Sequence, residues 1–259
     1  MKRTLKGMDA YSKILARELP EKTATYTPIS HADVINQVRS EITSAGYIIT
    51  KEEYRCTNDG DVAIGIFSMK YEEDPDIELS ANFLNSYNKQ YAFRFALGAV
   101  VKVCHNGMIL NNNKFGSYKR VHKGDADILA EGKIKEFIED SSEYWESLVE
   151  HKDKMKHIVL TKAEIYNVLG KLFYEENLLN TMQLNIVKKE LDLPSFDYKT
   201  PDESAWTLYN HITLALKESH PSTWIKDQSE VHRVFDELLT LQDETEEPIL
   251  DGTEFSVEE

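Results

Sequence analysis

Between Asn111 and Gly124 the chain reads NNNKFGSYKRVHKG, with Lys114, Lys119, Arg120 and Lys123 and not one acid. Cations of this kind neutralise phosphates, and the interleaved Phe115, Tyr118 and His122 offer rings on which unpaired bases stack, the combination that single-strand binders use. The expected contacts to single-stranded DNA are therefore Lys114, Phe115, Tyr118, Lys119, Arg120 and Lys123. A solvated loop that pairs with an acidic body has the same composition. A second set of polar residues brackets the most apolar stretch of the chain, with Asn85, Ser86 and Tyr87 before it and Cys104, His105, Asn106 and Gly107 after it. Asn and Gly adopt turn geometry and short polar side chains satisfy local backbone, so turn chemistry accounts for these positions. The competing reading gathers Asn85, Tyr87, His105, Asn106 and Asn210 around a pocket, as in an unrecognised hydrolase or nucleotide-binding enzyme.

Beyond these residues the catalytic inventory is thin. The sequence has no G-x-S-x-G, no Walker loop, no G-x-G-x-x-G and no H-E-x-x-H among its eight histidines. No catalytic residue, metal ligand or cofactor is assigned. Asp59 and Asp61 have the chemistry of metal ligands, but Asn58-Asp59-Gly60-Asp61 reads better as a hairpin turn. YEEDPDIE, from Tyr71 to Glu78, reads as a solvated loop. Cys56 and Cys104 form no C-x-x-C pair and read as buried thiols, which fits a reducing cytoplasm.

These residues need a scaffold, and 259 residues can bury a sizeable core. Arg94 and Lys102 interrupt the best apolar run, so no membrane span is expected, and the opening MKRTLKGMDAYSK lacks the apolar segment of a secretory signal. The net charge of −15 is uneven: ten acids and no Lys or Arg lie from Asp236 to Glu259, and removing those ten charges leaves −5 for the rest. Residues 1–29 read as an N-terminal arm with one short helix. Residues 30–123 read as an α+β sheet domain. Its helix starts at the cap Ser30, shows an apolar face of Val34, Ile35, Val38 and Ile42, and ends at Gly46. Four or five antiparallel strands follow, one face covered by that helix. Alternation along YAFRFALGAVVKVC puts Tyr91, Phe93, Phe95 and Leu97 on one face, with a bulge or bend expected near Gly98 because Val100, Val101 and Val103 cannot all share a face. Residues 124–241 read as a mostly helical half packed on the sheet, including a continuous helical pattern from Asp125 to Ile158 and a Thr161/Glu164 capping box. Residues 242–259 read as an acidic disordered tail. The fold class is thus α+β, an antiparallel sheet with a covering helix followed by a mostly helical C-terminal half.

Three segments carry a family resemblance. Asn85, Ser86, Tyr87 and Ala92 match an Asn-Ser-His/Tyr-Asp-Gly-Ser-x-Ala segment, Val103, Cys104 and Asn106 match Arg-Val-Val-Cys-x-Asn, and Trp206, Tyr209, Asn210 and Thr213 match Trp-x-x-Tyr-Asn-x-x-Thr. In this order they resemble the phage/plasmid-like proteins grouped as domain of unknown function 932, over residues 30 to 220. Asn88, Lys89 and Gln90 replace the family's Asp-Gly-Ser, and Lys102 replaces its Arg. The resemblance implies residence in a phage, plasmid or related mobile element, without a mechanism. Trp206, Tyr209, Asn210 and Thr213 share one helical face, where Asn210 is expected to bond the sheet near the Asn106-Gly107 turn, a ligand contact being the alternative. The leading functional expectation is a nonenzymatic accessory protein that binds single-stranded DNA through the basic loop, in the cytoplasm of a bacterial host. The alternative is a protein-binding inhibitor of a host defence or restriction enzyme, acting through acidic, DNA-mimicking surface and engaging a host or phage protein through the tail. Homo-oligomerisation is left open.

Overall fold

The computed structural model of the chain describes residues 4–110 and 118–246, side chains after 241 excepted. Strand β1 (Thr4–Lys6) leads into helix α1 (Gly7–Ala16), and α2 (His31–Ser44) follows. The Ser30 hydroxyl caps α2 by accepting from the Asp33 amide at 3.2 Å, which satisfies one of the helix's orphan donors. A meander of β2 (Ile48–Thr57), β3 (Val62–Lys70), β4 (Ile77–Ser86) and β5 (Phe93–Val101) comes next. Two short strands, β6 (Gly107–Met108) and β7 (Tyr118–Arg120), share the outer edge of β5. The result is a seven-stranded antiparallel sheet. The residues assigned to an arm therefore belong to the fold: β1 pairs with β2, and Ala10 and Ile14 of α1 are core residues. Asp59 takes the turn role, its Oδ1 accepting from the Thr57 hydroxyl and the Asp61 amide at 2.6 and 3.1 Å.

Both faces of the central strands are covered. On one, Phe67, Phe83, Phe95 and Leu97 meet the helices; on the other, Val62, Ile64, Leu84, Ala96 and Val100 pack with Trp224 and Ile225. That coverage removes the reason for a bulge near Gly98. Val100 and Val101 both find apolar partners on opposite faces, and the β4–β5 register runs unbroken from Ile77↔Val101 to Leu84↔Arg94. Gly98 is required by close approach instead, since a Cβ there would stand 2.7 Å from the Met108 carbonyl oxygen. The register shift falls in β2, between Ile49 and Lys51. Tyr91 precedes β5 and packs with the Trp224 face, not with Phe93 and Phe95.

The helical half comprises α3 (Ala126–Glu139), α4 (Ser141–His157), α5 (Lys162–Gly170), α6 (Thr181–Asp192), α7 (Ala205–Ala215) and α8 (Trp224–Glu246). The pattern from Asp125 to Ile158 is thus two helices separated at Asp140, and the Thr161/Glu164 capping box opens α5 as its sequence requires. Tyr144 ties α4 to the sheet, its hydroxyl donating to the Leu97 carbonyl and accepting from the Leu110 amide, both at 2.9 Å. The segment Tyr71 to Glu78 is not simply solvated. Asp74 accepts from the Asp76 and Ile77 amides at 2.9 Å and meets Lys152 of α4, 2 % exposed, at 2.5 Å. A partner 78 residues away neutralises an acid that composition alone assigns to water. Helix α8 runs to Glu246, into the stretch read as a tail; residues 247–259 lie outside the described residues. Among the described residues no helix is long and apolar enough to cross a membrane.

Candidate functional site

The bracketing polar residues separate into two buried knots. At the end of β4, Asn85 is fully buried, donates from Nδ2 to the Ile29 carbonyl at 2.6 Å and faces His31 Nδ1 at 3.0 Å. Its Oδ1 accepts from the Ser86 amide at 2.9 Å. The Tyr87 ring stacks on His31 at 3.7 Å and its hydroxyl accepts from the His31 amide at 2.7 Å. Burial drives the His31 pKa down to about 3, so the ring is neutral and its Nδ1 accepts.

The second knot follows β5. Asn106 Nδ2 donates to the Asn210 carbonyl at 2.8 Å, Asn210 Nδ2 donates to the Trp206 carbonyl at 2.9 Å, and the Cys104 thiol lies 3.6 Å from Asn210 Oδ1. Thr213 bonds back to the Tyr209 carbonyl at 3.0 Å, and Gly107 leaves room for Trp224, which a Cβ would approach to 2.8 Å. Asn106 and Asn210 are both fully buried. The tie between α7 and the turn after β5 is thus made by the Asn106 side chain on the Asn210 backbone carbonyl, while the Asn210 amide group donates within its own helix and does not bond the sheet backbone as expected. The knots sit at opposite ends of β5, about 25 Å apart at the usual rise of an antiparallel strand. Asn85, Tyr87, His105, Asn106 and Asn210 therefore line no common pocket.

An open cleft of about 340 Å³ lies beside the first knot, lined by Tyr26, Lys89, Tyr91, Lys119, His122 and Lys123 among others, with no carboxylate among the described residues of its walls. Three segments build it. The β4–β5 turn is set by Asn88, whose Oδ1 accepts from the Ser86 hydroxyl at 2.7 Å and the Gln90 amide at 3.1 Å, while Lys89 takes a left-handed φ of 62°. Asn tolerates neighbouring turn geometry and Lys does not favour it, so the turn holds Lys89 at a cost. Its ammonium lies 4.6 Å from the Tyr26 ring centroid. The stretch before α2 supplies Tyr26, anchored by its hydroxyl on the Tyr87 carbonyl at 3.2 Å and by the Thr27 amide on the His122 carbonyl at 3.0 Å. The loop after β7 supplies His122, 4 % exposed, and burial holds its pKa below the usual histidine range.

Strand alternation sorts the basic loop. Lys119 is the partner of Arg94 across the β5–β7 ladder, so both cations stand on one face, an arrangement that is unfavourable without an anion. Tyr118 and Arg120 point to the other face, opposite Phe95 and Phe93. Tyr118 packs on the core with its ring 6.4 Å from Phe93, and Arg120 bonds the Lys123 carbonyl at 3.4 Å. Of the expected contacts, Lys119 and Lys123 reach the cleft, Tyr118 and Arg120 do not, and Lys114 and Phe115 lie outside the described residues. Sequence reading missed Tyr26, Lys89, Tyr91 and Arg94. Lys89 had a signal, as a cation standing where the family segment has Gly; Tyr26 had none, because only the folded chain brings it to the β4–β5 turn. Chemically, the cleft offers an anion three ammonium groups and presents aromatic rings beside them. The acidic inhibitor reading rests mainly on residues 242–259, whose side chains lie outside the described residues.

A family model described as a domain of unknown function (DUF932) matches residues 21–239, a stretch that contains both knots and the cleft. No curated protein and no solved structure matches the chain.

Proposed function

The chain belongs to the DUF932 family, and from that premise we propose that it binds single-stranded nucleic acid in the cleft between Tyr26, the β4–β5 turn and the loop after β7. The observation that carries this reading is a cleft holding Lys89, Lys119 and Lys123 with no carboxylate among its described lining residues, and Arg94 opposed to Lys119. Phosphates relieve that repulsion, and Tyr91, half-buried at the rim, offers a face to a base. The local patch acts although the whole chain carries −15, because charges more than a Debye length away, about 8 Å at physiological salt, are largely screened. The motifs shared with phage and plasmid-like proteins support a setting in a mobile element, where the chain serves as an accessory binding protein.

Anisotropy titration of a labelled single-stranded oligonucleotide at low salt tests this. Binding is expected for the full chain and for a chain ending at Glu246, and is expected to be lost in the double variant Lys89→Glu/Lys119→Glu. Absence of binding by both unmutated forms at micromolar protein overturns the reading, as does equal binding by the double variant.

A further inference from the structure

Outside the cleft, two helices bring together three metal-ligating side chains for which the sequence reading assigned no role. His232 and Asp236 are four residues apart on α8 and share one face, and α4 brings His151 against them. His151 Nδ1 lies 3.0 Å from His232 Nε2 and 2.8 Å from Asp236 Oδ1, and His232 Nε2 lies 3.2 Å from the same oxygen. Hydrogen bonds do not satisfy this triangle. If both nitrogens carry protons, two donors face each other; if one does, a lone pair of the other faces the carboxylate. With Asp236 ionised, every assignment of protons to the two ring nitrogens leaves one close contact repulsive. Asp236 Oδ1, although near both rings, accepts no hydrogen bond of acceptable geometry from either.

A cation at the centre makes all three contacts attractive. Nitrogen and oxygen ligands about 2.0–2.2 Å from an ion stand about 2.9 Å apart at right angles and about 3.4 Å apart in a tetrahedron, and the observed separations span the first value and approach the second. From this geometry we propose that His151, His232 and Asp236 bind one divalent first-row transition ion. Two imidazoles select such an ion over Mg²⁺ or Ca²⁺, which take oxygen ligands. Three protein ligands leave coordination positions open, and the solvent side of the site, where His151 and Asp236 side chains are each 30 % exposed, leaves room for water there. The inner side is closed. His232 is fully buried, and Tyr209 meets it edge-on at 5.7 Å with a phenol that has no hydrogen-bond partner.

The test uses the full chain, stripped with chelator and titrated with Zn²⁺ by calorimetry and with Co²⁺ by visible absorption. One ion per chain is expected, with ligand-field bands for Co²⁺, no competition from millimolar Mg²⁺, and a Tm rise of about 5–10 °C at a hundredfold excess over Kd. His151→Gln and Asp236→Asn, both at the partly exposed side, are expected to fold and to weaken Zn²⁺ binding more than about 100-fold. His157→Gln, an exposed control on the same helix, keeps wild-type affinity. The proposal is overturned if the unmutated chain binds neither ion, or if His151→Gln and Asp236→Asn bind as tightly as the control.

Discussion

Removing one cleft cation should change the salt dependence of oligonucleotide binding by an amount the structure sets. Three ammonium groups, those of Lys89, Lys119 and Lys123, face the cleft. Each phosphate neutralised on a single strand contributes about −0.7 to the slope of log K against log salt, so three give about −2. Between about 50 and 200 mM salt the affinity should therefore fall about twentyfold. Lys119→Ala leaves two contacts, a slope of about −1.4 and a loss of about sevenfold over the same range. Lys119 is exposed at the sheet edge, where the substitution disturbs no packing. Anisotropy titrations of a fluorescein-labelled oligothymidylate at four or more salt concentrations give both slopes. Lys135→Ala, which removes an exposed cation paired with Glu139 on α3, serves as the charge control and should keep the wild-type slope. A slope near zero for the unmutated chain, or one that Lys119→Ala changes no more than Lys135→Ala does, refutes the placement of phosphates in this cleft.

Lys152→Ala strands Asp74 in a buried site and should cost about 3–5 kcal/mol, a Tm drop of about 6–20 °C by calorimetry; a drop under about 3 °C contradicts the pairing. Asn106→Ala removes the donor that ties the sheet to α7 and should lower stability by about 1–3 kcal/mol in urea melts while leaving oligonucleotide affinity unchanged; lost affinity in a folded variant would make Asn106 a ligand contact. His31 has a folded pKa of about 3 against an ordinary value near 6.5, so the unfolded chain takes up its proton first. Its contribution is complete above the unfolded pKa and is lost as pH falls from about 6.5 towards the folded value. The acid limb of a stability–pH curve should be shallower in His31→Gln than in the unmutated chain, and parallel limbs would count against a buried neutral ring.

The covering helix shows how far local signals reach: Ser30, Asp33 and the apolar face from Val34 to Ile42 are all within hydrogen-bonding or one-face range of each other, and α2 forms where they place it. The same holds for the β2–β3 turn at Asp59 and the α5 cap at Thr161. Where both sides of an element are buried, alternation stops reporting direction. Val100 and Val101 showed this, and a register shift inferred from them near Gly98 does not exist. The break at Asp140 was masked by an apolar spacing that continues on either side, although Asp140 followed three residues on by Glu143 has the residue types of a helix start.

The sequence by itself determined the covering helix and the long strands, the Ser30 and Thr161 caps, the hairpin turn, the α+β class and the presence of a local cationic surplus, because each depends on residues within a few positions along the chain. Tertiary structure decided which of those residues act together. Pairing of β7 with β5 sends Lys119 towards the cleft and Arg120 away from it, a choice that a strand makes only once it has a partner. Tyr26 reaches Lys89 and His122, Lys152 reaches Asp74, and His151 reaches His232 and Asp236 across separations of 63 to 96 residues along the chain. No periodicity encodes such meetings, which follow from packing a whole core and exist only after the chain has paid the entropy of closing those loops.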